Sequence, residues 1–146
     1  LRGAAGAAHY LVEEESCREL GLNLVNVSFH ARHAAPPGGI LAVIDAFRTI
    51  ERPFVMHCKS GADRAGFAAA IYLLVIEGRP MAEARRMLSP KYIHFKFTKT
   101  GVLDYILDLY EARNARDPIS FEDWVKTEYD FMAIQQDFTE VKKPFL

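Results

Sequence analysis

A chain of 146 residues, half of them apolar and a quarter charged, is long enough to bury a core within one domain spanning positions 1–146. A formal net charge of −1 excludes a global electrostatic pull toward nucleic acid or an anionic membrane, so any attraction for anions has to be local. Its two cysteines, Cys17 and Cys58, allow at most one bridge, and a chain of this size needs no such staple, which points to a reducing, cytoplasmic compartment.

In chain order, Leu1, Arg2 and Gly3 read as the tail of a strand, and a helix is expected over about 7–20, stopped at Gly21. Residues 22–29 alternate apolar and polar in part and read as a strand, followed by a loop over 30–39 marked by Pro36, Pro37, Gly38 and Gly39. A second helix runs from Ile40 toward Glu51. The apolar stretch 53–57 then predicts a short central strand, since it offers no polar face. After a tight loop a helix is expected from Arg64 to about Glu77, stopped by Gly78 and Pro80, and a shorter one over 81–88. A basic and aromatic linker at 91–97 precedes a helix over about 99–116. Ser120 and Asp123 resemble a capping box opening the last helix, and the tail from Thr139 carries Lys142 and Lys143. Strands alternating with helices predict an α/β sandwich with a mostly parallel central sheet flanked by helices, a helical part from about position 80, and further strands upstream of Leu1. The longest apolar stretch, 67–76, is too short to span a bilayer, and there is no signal peptide. Because the chain starts without Met, an upstream anchor or signal stays open.

The most informative stretch is His57-Cys58-Lys59-Ser60-Gly61-Ala62-Asp63-Arg64-Ala65-Gly66. Strand, tight loop, helix is an arrangement that aims backbone N–H groups and a helix N-terminus at an anion. A cysteine at the start of such a loop has its thiolate stabilised and becomes a nucleophile at neutral pH. Arg64 offers a planar fork that matches two oxygens of a phosphoryl group. Set against this, a lone cysteine is most often a small buried hydrophobe, and many strand-to-helix turns are only turns.

The run resembles the His-Cys-x5-Arg signature of the cysteine-dependent protein tyrosine phosphatase superfamily. Its lead-in, spacing and Gly66 are most like the dual-specificity branch, including relatives that act on phosphoinositides. The resemblance is sharp over 57–66 and extends in element order to about Asp108. It implies a phosphatase-like α/β fold and phosphomonoester hydrolysis through a cysteinyl-phosphate intermediate. Cys58 is the expected nucleophile and Arg64 the clamp for the transferring group. Lys59, Ser60, Gly61, Ala62, Asp63 and Arg64 form the phosphate cradle, with His57 either a support for Cys58 or, equally, a satisfied core histidine. No metal or other cofactor is expected, because the cradle and Arg64 supply the positive charge. The expected partner is a phosphorylated substrate: a phosphoprotein, a phosphoinositide or a small phosphomonoester. Oligomeric state is not set by the sequence.

Two departures matter. The dual-specificity branch commonly carries an acidic residue about thirty positions before the cysteine, and here residues 28–35 contain no carboxylate. Asp63 is the substitute, as in myotubularin-like and certain bacterial relatives, with a structural role as the equal alternative. His30 and His33 are further candidates for the proton donor. Ala65 stands where the family usually has Ser or Thr, whose hydroxyl stabilises the departing thiolate, so slow turnover is expected. Cys17 reads as a packing residue with a resolving thiol as the minority role. The aromatic side chains among Tyr92, His94, Phe95, Lys96 and Lys99 are expected to pack, with lining of the substrate entrance as the minority role. A phospho-ligand-binding relative without turnover and a rhodanese-like sulfurtransferase are the rival readings.

Overall fold

The apolar run that follows Arg64 forms the helix around which the molecule is packed. Phe67, Ala68, Ala70 and Ile71 are fully buried, and the small side chains let neighbouring elements approach from several sides. The computed structural model describes residue 1 and residues 6–141. In order these form α1 (Ala8–Glu19), α2 (Pro37–Thr49), α3 (Asp63–Ile71), α4 (Met81–Ala84), α5 (Val102–Arg116), α6 (Phe121–Thr127) and α7 (Phe131–Val141). A π-helical turn at Tyr72–Ile76 prolongs α3, and short 3₁₀ turns occur at Arg85–Met87, Pro90–Tyr92 and Lys99–Gly101. Positions 2, 3 and 142–146, where a strand tail and a loose C-terminal tail are expected, lie outside the described residues.

The expected parallel sheet is not formed: among the described residues there is no β-strand. Residues 22–30 and 54–58 carry no helix, turn or bridge, and the alternation read over 22–29 is not kept, since Leu22 and Val25 are exposed while Asn26 is half-buried. Phe54 and Met56 pack on the core while Val55 is 90% exposed, so this segment is not the buried central strand that its composition suggests. A strand needs a ladder of N–H and C=O groups with a neighbour. Here the two extended segments instead line an open cavity of about 540 Å³ together with α1 and α2, and no ladder bridges it among the described residues.

The core is built around α3 by the helices that follow the extended segments. Ile40, Val43, Ile44 and Phe47 of α2, Val102, Leu103, Ile106 and Leu107 of α5, and Phe121, Trp124 and Val125 of α6 all enter it. The expected Ser120 cap is present: its hydroxyl accepts the Asp123 N–H at 3.0 Å. The last helix, however, is two helices, because Asp130 accepts the N–H groups of Met132 and Ala133, each at 3.0 Å, and opens α7. These C-terminal elements hold the segment before α2. Tyr129 donates its hydroxyl to the Ala35 carbonyl at 2.8 Å, and Gln135 accepts the Ala34 N–H at 2.8 Å.

Gly66 sets the closest approach. A Cβ there would lie 2.6 Å from the carbonyl oxygen of Met87, a backbone atom that cannot swing aside. Gly66→Ala is therefore expected to destabilise the protein by about 1–3 kcal/mol, a fall in Tm of several degrees. Gly38→Ala, where nothing lies within 4 Å of the added atom, serves as the control. Its Tm is expected to hold or rise, because alanine is the better helix former. Equal melting temperatures for the two variants would contradict the close packing at Gly66.

Candidate active site

Helix α3 has no capping side chain, since Ala62 precedes it and offers none. Its N-terminal N–H groups are left for another acceptor, and the sulfur of Cys58 takes that place. Cys58 is buried, at 6% exposure, and receives hydrogen bonds from the backbone N–H groups of Ala65, Ser60 and Gly61. Burial alone pushes the thiol pKa up. The three N–H groups and the charge of Arg64 outweigh it, and the pKa falls below its ordinary value. Gly61, at φ +73°, supplies the left-handed backbone that turns the loop inward. Lys59, Ser60 and Gly61 stay exposed, Ala62 is buried, and Arg64, in the first turn of α3, is half-buried. Ala65 lacks the hydroxyl of the resembled family, yet its N–H is bonded to the sulfur.

His57 lies at the end of the extended segment. Its Nδ1 is 3.2 Å from the Cys58 carbonyl oxygen, and its Nε2 pairs with Glu13 of α1. His30 and His33 are both exposed and stack edge to face with ring centres 6.0 Å apart. Cys17 is a half-buried free thiol lining the cavity beside α1.

Asp63 reaches a partner far along the chain. Its Oδ1 lies 2.8 Å from Nδ1 of His94, and the Nε2 of the same ring lies 2.7 Å from Oδ2 of Asp104. His94 is 1% exposed, so this is a buried Asp–His–Asp bridge between the first turns of α3 and α5. A neutral imidazole can donate from one nitrogen only, and an ionised carboxylate only accepts; the imidazolium satisfies both contacts at once. Burial by itself lowers the His94 pKa, but the bonds to Asp104 and then Asp63 overcome it and raise the pKa above its usual value. On its open side Asp63 faces a pocket of about 420 Å³ also lined by Arg32, Phe95, Thr98, Lys99 and Thr100. Sequence reasoning missed His94 because its partners stand 31 and 10 residues away, with no local spacing to reveal them.

Among known families, residues 21–82 match the model described as the tyrosine phosphatase family. The match covers less than half of the chain but includes the whole loop from His57 to Gly66. It is consistent with membership of the cysteine-dependent tyrosine phosphatase superfamily and supports a phosphatase-type function. Neither the curated proteins nor the solved structures searched gave a match.

The arrangement carries a direct test. Cys58 should react with iodoacetate well below the pH at which an ordinary thiol of pKa about 8.5 does so. Peptide mapping separates its alkylation from that of Cys17. A rate for Cys58 that tracks an unperturbed thiol would contradict thiolate stabilisation by the loop.

Proposed function

We propose that this protein hydrolyses phosphomonoesters through a cysteinyl-phosphate intermediate, in the manner of dual-specificity and tyrosine phosphatases. The observation that carries the reading is the convergence of the Ala65, Ser60 and Gly61 N–H groups and the Arg64 charge on a buried cysteine at the mouth of an uncapped helix. In-line attack by the Cys58 thiolate forms the S–P bond as the substrate P–O bond breaks. The leaving oxygen takes a proton from solvent, because Asp63, held as a carboxylate against His94, accepts there. Water then attacks phosphorus and releases its proton to solvent, the S–P bond breaks with its electron pair returning to sulfur, and inorganic phosphate leaves. Arg64 and the loop N–H groups bear the negative charge that builds on the equatorial oxygens, so the positive charge comes from the protein itself.

Ala65 favours a second reading, a relative that captures phosphorylated ligands with little turnover. The absent hydroxyl removes one stabilising bond to the departing thiolate, while the Ala65 N–H still serves it. Slow breakdown of the intermediate is therefore expected to leave phosphate attached to Cys58.

Release of phosphate from an aryl phosphate, abolished by Cys58→Ser, tests the assignment. Arg64→Lys keeps the charge but loses the bidentate fork, and turnover should fall by about 100-fold. Undiminished turnover in Arg64→Lys would remove Arg64 from the transition state. An initial burst of product with slow steady-state release would locate the slow step in breakdown of the intermediate, and Ala65→Ser should then speed it.

A further inference from the structure

A carboxylate inside an anion-binding loop is an electrostatic problem. Asp63 immediately precedes Arg64 and sits in the first turn of α3, where its negative charge competes with a bound dianion for the same helix N-terminus. Its Oδ1 is directed at Nδ1 of the buried His94, and His94 is held from behind by Asp104. The three groups come from three separate elements: α3, the turn before the 3₁₀ segment Lys99–Gly101, and α5. Asp104 therefore holds the imidazole from outside the loop.

We propose that His94 is a positioning residue that acts through Asp63, fixing the carboxylate at the edge of the phosphate loop and compensating its charge so that the loop accepts a dianion. The proposal deepens the phosphatase reading and rests on it for the chemistry of the ligand. Asp104 keeps the ring cationic and oriented. Loss of the ring proton leaves one of the two contacts as lone pair against lone pair, frees Asp63, and returns its full negative charge to the mouth of the site. The charged groups facing the ring are Asp63 from α3 and Asp104 from α5. Beyond Asp63, Arg32 from the segment before α2 and Lys99 from the 3₁₀ turn line the open pocket. Because protonated His94 supports the site, anion binding is complete at low pH and declines as pH rises through the ring's folded-state pKa.

Asp104→Asn tests this without touching the loop. The asparagine carbonyl still accepts the Nε2 proton, so the ring keeps its place, but the charge that holds it cationic is gone. The measurements are the pH profile of kcat/KM with an aryl phosphate and the pH dependence with which sulfate protects Cys58 from alkylation. Sulfate is used because it stays a dianion throughout the range. The alkaline decline of both is expected to move to lower pH by about one unit, as removal of an opposite charge requires, with the loss falling on KM more than on kcat. His94→Asn is expected to abolish the pH-dependent decline and to weaken sulfate protection severalfold at every pH. Lower Tm in Asp104→Asn with both pH profiles unmoved would overturn the proposal and leave the bridge purely structural. If the wild type protects Cys58 with sulfate but shows no turnover, the phosphatase reading fails while the sulfate profile still decides the role of His94. If sulfate gives no protection at any pH, the proposal fails.

Discussion

Cys58 does for α3 what an N-cap side chain does for other helices. Its sulfur accepts the N–H of Ala65, the third residue of the helix, where a serine or aspartate oxygen would ordinarily sit. Most of what distinguishes the site follows from that substitution. A sulfur in the capping position has its pKa drawn down, the helix N-terminus supplies the field, and the loop between them doubles back through Gly61 to close the ring of donors. The helix can offer this end only because its other residues are locked in the core, where Phe67, Ala68, Ala70 and Ile71 are fully buried. Packing and reactivity are thus two demands on one element.

A second helix start lies close by. Asp63 and Asp104 occupy the first turns of α3 and α5, each favoured there by the helix dipole, and the buried ring of His94 joins them. The spacing of the two helices is fixed away from the ring as well. Gly66 lets α3 close on the Met87 carbonyl, and the neighbouring Arg85 pairs with Asp108 and Glu111 of α5 at 2.6 Å each. A buried cation between carboxylates is costly to expose or to unbalance, so it favours one arrangement of the two helix ends over nearby alternatives.

How much of this the sequence discloses depends on the range of the interactions. α2, α3 and α5 are legible because apolar, helix-forming runs are bounded by glycine and proline stops. The loop from His57 to Gly66 is legible because its parts are contiguous. The apolar stretch 53–57 reads as a strand buried on both faces, whereas only Phe54 and Met56 pack inward and Val55 is exposed. It cannot say whether a neighbour supplies the ladder, since pairing is a property of two segments. The division of the last helix carries a local signal in Asp130, an N-cap residue type ahead of the apolar residues of α7. The bridge through His94 carries none. A histidine between Ile93 and Phe95 reads as part of an aromatic linker, and only the folded chain brings the two aspartates to it.

Helix α1 differs from the rest in burying none of its side chains completely. It borders the cavity, and its ion pair between Glu13 and the motif residue His57 joins it to the loop. Elements with so little buried surface open at low free energy, well before the molecule unfolds as a whole. Lifting α1 away would break the hold on His57 and leave Cys58 seated on α3, whose core contacts are untouched. The boundary between a readily opening unit and the most protected one therefore runs through the ion pair between Glu13 and His57. In amide hydrogen exchange, α1 and α3 would belong to different cooperative units, though the loop needs side chains from both sides of that seam.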